Sequence, residues 1–342
     1  MKRTRLGRTG AMVSPFGLGG IQFSKITQEE VTRTIRRALE LGVNFLETAH
    51  GYFDSEEKIG TAMEGRWEGM VLATKTGPGE PRIVMDHLHE SLRRLRTDYI
   101  HLYQMHGVDR EESYASARRC LDALLNAKAQ GKIGAVGITT HSLDLAMKMV
   151  EDDLFDSIQL PISFINQEVV ERGFIEAAAQ RDVGLIAMKP MGGGRLGDPR
   201  LCLGYIYELG KVVPVVGVES PEQVEQLVHI TEHPPTFTEA DRRRMKEIEE
   251  VVGKYFCRAC NYCQPCPQEI PIYQVLYFPV YIKQMGVERI LSSGTVQVVQ
   301  ESERCVECGQ CEERCPFGLS IIEGLKRSRT MLAELQRSHG SA

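Results

Sequence analysis

A parallel (β/α)8 barrel followed by a small cysteine-rich module is the fold class this sequence predicts, and three observations carry it. Short apolar, β-rich runs alternate with longer amphipathic ones from about residue 14 to 235. The strand-like runs are almost continuously apolar, as strands buried on both faces must be. Eight cysteines then crowd into two groups near the end, whereas Cys120 and Cys202 stand alone before them.

The strand-like runs are, in order, FGLGG, VNFLETA, MVLATKT, YIHLYQMH, IGAVGITT, SIQLPIS, VGLIAMKP and VVPVVGVE. Helical patterns fall between them at Gln28 to Leu41, Asp54 to Glu64, Ile83 to Leu95, Glu111 to Gln130 and Glu222 to Thr231. Eight β-then-α units in roughly 220 residues suit a barrel wrapped in helices. An open doubly wound sheet is the alternative. It is weakened because Gly17, Gly19 and Gly20 lead into Ile21-Gln22-Phe23, not into G-x-G-x-x-G. After His233-Pro234-Pro235 the pattern changes to a charged helix, Thr238 to Val252, with a capping-box-like start at Thr238 and Asp241. The expected domains are the barrel over 1–250 and a second, mainly helical domain over 251–342 that ends in a helix.

With 342 residues, 42% hydrophobic and 25% charged, the chain can bury one large core and a small appended one. No apolar run approaches the roughly 20 residues of a membrane-spanning helix. Met1-Lys2-Arg3-Thr4 opens without the apolar core of a signal peptide. The expected location is the cytoplasm, without a membrane partner. A formal charge of -5 gives no basic footprint for nucleic acid, and Arg242-Arg243-Arg244 runs into acidic residues as a solvated helix face does.

In a barrel of this kind the carboxyl ends of the strands meet at one mouth, so polar residues that close apolar strands are informative. The second strand ends Glu47-Thr48-Ala49-His50-Gly51-Tyr52, the third Leu72-Ala73-Thr74-Lys75 and the fourth Gln104-Met105-His106. Singly, Tyr52 reads as a loop aromatic, Lys75 as a solvated strand terminus and His106 as a core histidine. Together they make a chemical set. A phenol is a poor acid at neutrality, but a nearby ammonium stabilises the phenolate and lowers its pKa. Lys75 could do this for Tyr52, Glu47 would hold Lys75 charged, and His106 could align a carbonyl oxygen. Such a site suits reduction of C=O.

These residues and the phrases around them resemble the aldo-keto reductase family. The matching stretches are Arg5-Leu6-Gly7-Arg8-Thr9-Gly10, DSEEKIG from Asp54, SLRRLRTDYIHLYQMHG from Ser91 and GKIGAVGIT from Gly131. The resemblance covers about residues 3 to 232. It implies a TIM barrel and a nicotinamide-dependent oxidoreductase acting on a small carbonyl or alcohol. The family's acid tyrosine falls on Tyr52, its lysine on Lys75, its histidine on His106, and its aspartate on Glu47, a departure by one methylene. Among cofactor positions, Thr140 stands where an asparagine commonly meets the nicotinamide amide, and Gln159 matches the amide-contacting glutamine. The stacking aromatic falls on Met188, beside Lys189. The positions that often bind a 2′-phosphate fall on Gly217 and Gln223, and Glu219 adds an acidic group. A phosphate dianion gains little from that set, which favours NAD(H) over NADP(H).

Cys257, Cys260, Cys263 and Cys266 form the first cysteine group; Cys305, Cys308, Cys311 and Cys315, followed by Pro316, form the second, spaced C-x2-C-x2-C-x3-C-P. Cysteines two residues apart in a reducing compartment are placed to share a metal. Zinc held by four thiolates is one reading. Three cysteines in tight succession plus one before proline suit an iron-sulfur cubane better. The module resembles two-cluster bacterial-type ferredoxins, in which the fourth cysteine of each motif serves the other cluster. That resemblance implies one 4Fe-4S cluster on Cys257, Cys260, Cys263 and Cys315, and another on Cys305, Cys308, Cys311 and Cys266. The whole arrangement looks like the aldo-keto reductase subgroup with a C-terminal ferredoxin domain.

Nicotinamides move hydride and cubanes move single electrons, so joining them needs a converter, usually a flavin, and no flavin fingerprint is visible. Three readings follow. The barrel reduces carbonyls while the clusters are structural; the clusters relay electrons from a redox protein partner; or a degenerate barrel is a non-catalytic electron-transfer protein. The joint presence of Tyr52, Lys75 and His106 weighs against the third.

Overall fold

The computed structural model describes residues 1–253, 256–257, 262–315 and 317–339. It divides into two compact units, Met1–Asp241 and Arg242–Ala342. In the first, all eight strand-like runs form strands: β1 (Gly17–Gly19), β2 (Phe45–Glu47), β3 (Val71–Thr76), β4 (Ile100–Met105), β5 (Ile133–Thr139), β6 (Ser157–Pro161), β7 (Gly184–Met188) and β8 (Val212–Gly217). Each pairs in parallel with its neighbours, and β8 pairs with β1 to close the barrel.

The strands alternate their side chains between two cores, as a two-residue period requires. Phe45, Val71, Ala73, Leu102, Ala135, Ile186, Val213 and Val215 form one cluster inside the barrel. Leu46, Leu72, Tyr103, Val136, Leu185 and Val216 belong to the larger core shared with the surrounding helices. Gly17 makes room for the largest lumen side chain, because a Cβ there would lie 2.5 Å from the Phe45 ring. A short hairpin, Thr4–Arg5 with Met12–Val13, sends Leu6 and Val13 into the lumen cluster. Leu6 packs against Gly184, the first residue of β7, so the hairpin plugs the amino end of the barrel. The carboxyl ends are left as the mouth.

Helices follow the strands, with one departure from expectation. The single run from Glu111 to Gln130 is two helices, Glu111–Arg119 and Leu121–Ala129. At the joint, the Cys120 amide donates to Ala117 O, three residues back, at 3.1 Å, which tightens the turn. The helical period does not mark Pro199–Leu209 at all. Its buried residues Leu201, Cys202, Leu203, Gly204 and Ile206 are nearly consecutive, so no one-sided stripe is left to see.

The second unit is helical. Its described helices include Ile272–Leu276, Phe278–Met285, Thr295–Glu301 and Ile321–His339. The stretch IYQVLYFPVYIKQM, long enough for one helix, is broken at Tyr277 because Pro279 sits in the first turn of the second piece. Ile270, Ile272, Val275, Tyr277, Val280, Ile321 and Leu325 form its core, with Cys257 and Cys263 buried among them. The charged helix that precedes this core has the expected capping box: Thr238 N donates to Asp241 Oδ2 at 2.9 Å, and Asp241 N to Thr238 Oγ1 at 3.2 Å. Among the described residues no helix is long and apolar enough to cross a membrane.

Candidate active site

Backbone pairing continues past the strand ends and sets the loops of the mouth. Thr48 N–H donates to Ala73 O and His50 N–H to Lys75 O, both at 2.9 Å, and His106 N–H to Thr76 O at 2.7 Å. This extended ladder brings the ends of β2, β3 and β4 together. Lys75 and Glu47 are 2% and 4% exposed, and the Lys75 ammonium donates to Glu47 Oε1 and, at 2.8 Å, to Thr48 O. The extra methylene of glutamate leaves this ion pair intact.

Lys75 Nζ lies 4.6 Å from the centroid of the Tyr52 ring. The His106 ring meets Tyr52 edge to face, with centroids 5.6 Å apart at 84°. Tyr52 and His106 are both partly exposed. Among the described residues neither the Tyr52 hydroxyl nor the His106 imidazole has a protein hydrogen-bond partner, whereas Lys75 and Glu47 are bonded to each other. Two donors thus face the mouth above a buried ion pair.

The electrostatics differ from the expected lowering of the Tyr52 pKa. Burial pushes the phenol well above its ordinary 10, and the Glu47 carboxylate adds to the rise. The reason is geometric: Lys75 sits over the ring face, and its charge is shared with Glu47. Burial lowers Lys75 itself, and Glu47 works against that fall. His106 is held well below 6.5, first by burial and then by Lys75, so it is neutral at neutral pH.

Beyond His106, Val108 N–H bonds to Thr139 O at 2.8 Å and lays Asp109 against the end of β5. There the His141 backbone N–H donates to Asp109 Oδ1 at 2.7 Å, and His141 Nδ1 lies 3.1 Å from Asp109 Oδ2. On the other side of the ring, Lys189 Nζ lies 2.9 Å from His141 Nε2. These partners define a neutral imidazole with Nδ1–H on Asp109 and Nε2 accepting from Lys189. Burial and Lys189 lower His141; although burial pushes Asp109 up, His141 brings it down to about 2. Lys189 has a positive φ of 52°, a left-handed backbone state uncommon for residues with side chains.

The neutral histidines make a pH prediction. Below 6.5 the unfolded chain binds protons at His106 and His141 that the folded protein refuses. Stability therefore rises with pH through that range and is lost as pH falls. Denaturant unfolding should give a lower midpoint at pH 5 than at pH 7, and His106→Gln should flatten the difference; an unchanged slope would refute it.

The expected cofactor residues are dispersed around the mouth. Thr140 follows β5, Gln159 lies within β6, Met188 ends β7 and Gly217 ends β8. The Gln159 amide is engaged inside the barrel, between Gln104 and Glu47. Glu219 is not an isolated acid: Lys25 pairs with it at 2.8 Å, and its backbone N–H donates to Gln223 Oε1 at 2.8 Å. The Gln22 side chain occupies the space that a Cβ on Gly217 would take, and its buried Oε1 has no partner. Sequence reasoning missed Lys25, Gln22, Asp109, His141 and the loop Gly192-Gly193-Gly194-Arg195, whose three glycines all have positive φ. The last was legible as a glycine run separated by three residues from the end of a strand; the others are brought together only by barrel closure.

In the second unit, Cys263, Cys266, Cys305, Cys308 and Cys311 line one cavity, with Pro265, Ile270, Ile272 and Leu325. None of the described cysteines is in a disulfide. Among the described residues no three His, Cys, Asp or Glu side chains converge on one point. The cysteines are spread around the cavity instead. Cys260 and Pro316 lie outside the described residues.

A closed barrel with polar side chains at its carboxyl mouth, joined to a cysteine-lined helical unit, defines an oxidoreductase of the (β/α)8 class. The chain belongs to the aldo/keto reductase family, whose model matches residues 15–200, and residues 256–319 match a 4Fe-4S dicluster domain. Among curated proteins it is 30% identical over 228 residues to the uncharacterized oxidoreductase YrpG of Bacillus subtilis, spanning 59% of this chain and 70% of that one. It is 28% identical over 218 residues to 6-dehydroglucose reductase of Novosphingobium aromaticivorans, spanning 57% and 71%. Among solved structures, the holo form of aldo-keto reductase AKR11C1 from Bacillus halodurans superposes with a TM-score of 0.63 at 23% identity, covering 72% of this chain and 96% of that one. An aldo-keto reductase from Klebsiella pneumoniae in complex with NADPH gives 0.62 at 20% identity, covering 73% and 94%.

Proposed function

We propose that the barrel reduces a small carbonyl compound, or oxidises the alcohol, with a nicotinamide nucleotide, and that Tyr52 delivers the proton. The observation that carries this reading is the pair of unpartnered donors, Tyr52 and His106, beside the buried Lys75–Glu47 pair. His106, neutral at neutral pH, donates to the substrate oxygen and aligns it. Tyr52 holds its proton until charge develops on that oxygen; an alkoxide is a stronger base than any phenolate, so even a raised phenol can protonate it. Lys75 over the ring offsets the negative charge left on Tyr52. The bound nucleotide would supply hydride.

Family membership supports the nucleotide, and so do features of this mouth. The glycine loop 192–194 and Arg195 suit a pyrophosphate, since Gly backbones admit close approach and Arg pairs with phosphate oxygens. Gln22 Oε1 is an acceptor awaiting a donor. Thr140, Met188 and Lys189 would line the nicotinamide end, and Gly217, Glu219 and Gln223 the ribose end, where Glu219 favours NADH. Lys25 tempers that preference by pairing with Glu219.

The domain over 251–342 would hold two 4Fe-4S clusters. Cys263 and Cys266 of the first motif share a cavity with Cys305, Cys308 and Cys311 of the second, which supports placing the two motifs side by side; the exchanged ligand set rests on the ferredoxin resemblance. Thiolates spread around a cavity suit a cubane, whose ligands reach separate corners. The 4Fe-4S match favours a second reading, in which the clusters pass electrons between a redox protein and a flavin at the barrel. Anaerobic turnover of a model aldehyde with NADH and with NADPH tests the first. Oxidation of either nucleotide matched by alcohol formation is expected, with NADH preferred; no turnover with either, and a flavin released on denaturation, would replace it with the second.

A further inference from the structure

Tyr52 stands on a turn, not on a strand. The backbone ladder from β3 reaches His50, and the helix Ser55–Met63 begins three residues after Tyr52. Between them, Tyr52 N–H donates to Ala49 O and Ser55 N–H to Tyr52 O, both at 3.0 Å. Phe53 has a positive φ of 51°, a left-handed state uncommon for a residue with a side chain. Such a state persists where its surroundings over-determine it. Here the surroundings include the helix Pro81–Leu95, which follows β3. Arg94, in its last turn, sends one guanidinium to both sides of the tyrosine. Upstream, Nη1 donates to His50 O at 3.2 Å; downstream, Nε lies 3.0 Å from Glu57 Oε1 and Nη1 3.7 Å from Glu56 Oε2. Nη2 pairs with Glu90 Oε1 at 2.8 Å, and Glu90 Oε2 meets His50 Nε2 at 2.9 Å. The His50 ring also stacks on His87 of the same helix, with centroids 4.0 Å apart at 19°. The bond to His50, helped by Arg94, holds the Glu90 carboxyl below its ordinary range, so it is charged at neutral pH. Packing sets the reach of the arginine: a Cβ on Gly60 would lie 2.2 Å from Arg94 O, so the two helices meet backbone to backbone.

From this arrangement we infer that Arg94 is a positioning residue for Tyr52, a clip that joins the chain before the tyrosine to the helix after it. The inference rests on the proton-donor reading of Tyr52 and deepens it. The place calls for an arginine. A planar guanidinium presents its donors in fixed directions, so one side chain can hold a carbonyl and the carboxylates around it at once. A lysine ammonium is a point charge on a flexible stem and fixes one side at the expense of the other. With the clip open, the backbone at Phe53 is free to relax toward an ordinary φ, and the Tyr52 hydroxyl leaves its alignment. Proton delivery is sensitive to this, since a misplacement of about 1 Å can cost about 10²-fold in rate. Nucleotide binding is not, because Arg94 acts through the backbone of the tyrosine.

Arg94→Met and Arg94→Lys in the full-length, cluster-loaded protein test this, each alone and each combined with Tyr52→Phe, with benzaldehyde and NADH. In Arg94→Met kcat should fall by about 10- to 100-fold, while KM for the aldehyde and the dissociation constant for NADH stay within about twofold of wild type. The solvent deuterium isotope effect on kcat should rise, because proton delivery becomes the slow step. Arg94→Lys should fall between Arg94→Met and wild type. In the Tyr52→Phe background either change should cost less than about threefold, since a residue that acts only through the tyrosine has nothing left to position. Multiplicative losses in the double variants overturn the inference. So does an NADH affinity that falls in step with kcat, an isotope effect that stays put while kcat falls, or an unchanged kcat in both single variants. Arg94→Met also takes a charge partner from the buried Glu56. Should it fold poorly, Arg94→Lys keeps that charge and carries the same readouts. Failure of the underlying reading shows separately, as undiminished activity in Tyr52→Phe.

Discussion

Tyr52→Phe lowers kcat/KM for carbonyl reduction by about 10²- to 10⁴-fold, the range a positioned proton donor contributes, and leaves nucleotide affinity unchanged. The substitution removes one oxygen from a ring that keeps its place. Lys75 still finds the ring face, and His106 still meets its edge. The ion pair beneath is untouched, because Lys75 bonds to Glu47 and Thr48 and not to the Tyr52 hydroxyl. The loss is therefore confined to the proton-transfer step and should appear in kcat. Lys75→Met is the companion: it strands Glu47 as a buried carboxylate without its charge partner, so it should cost stability as well as rate, about 3–5 kcal/mol when one member of a buried pair is removed. Steady-state kinetics combined with denaturant unfolding separates the two. Full activity in Tyr52→Phe would remove the tyrosine from the chemistry.

Anaerobically purified protein should carry about eight iron and eight labile sulfide per chain if both cysteine motifs are loaded. Cys305→Ala should lower each to about four, and Cys266→Ala should do the same to the same cluster. The second expectation is the informative one. Cys266 belongs to the first motif by sequence and shares one cavity with Cys263 as well as with Cys305, Cys308 and Cys311, so its assignment to the second cluster rests on the ferredoxin resemblance. The electron paramagnetic resonance spectrum of the cluster left in Cys266→Ala should therefore match that in Cys305→Ala and differ from that in Cys257→Ala. A match to Cys257→Ala would return Cys266 to its own motif. One zinc and no sulfide would overturn the iron-sulfur assignment for this chain. Burial pushes the Cys311 thiol up to about 11, so loading must displace its proton, and reconstitution should release acid.

The barrel was legible because its strands are buried on both faces. Runs such as MVLATKT and VVPVVGVE leave no polar face, and a chain with eight of them separated by amphipathic stretches has few architectures that bury them all. Helices with a one-sided stripe, such as Gln28–Glu40, were equally plain. Pro199–Leu209 was not, since its face turned to the barrel is too broad to give a period. The second unit offered its candidate ligands in the sequence but not their geometry. Cysteine spacing states which thiols are near each other along the chain, and the position of Cys266 beside Cys305 depends on how Ile270, Ile272 and Leu325 pack.

Tyr52, Lys75, Glu47 and His106 could be named from the sequence because they end consecutive strands, and consecutive parallel strands of a barrel are neighbours. Residue types and their order along the chain thus determined the fold class, and they named the residues proposed here as the proton-donor set and as cysteine ligands. Only the tertiary structure decided that Lys75 faces the ring of Tyr52, that the Tyr52 pKa rises instead of falling, and that Gln159 turns to Glu47. Only it joined Lys25 to Glu219 and Lys189 to His141 and Asp109. The physical reason is range: the pattern that marks a strand is local, whereas charge and hydrogen bonding act across a closed barrel between residues as distant in sequence as Lys25 and Glu219, 194 positions apart. Burial then sets how strongly they act.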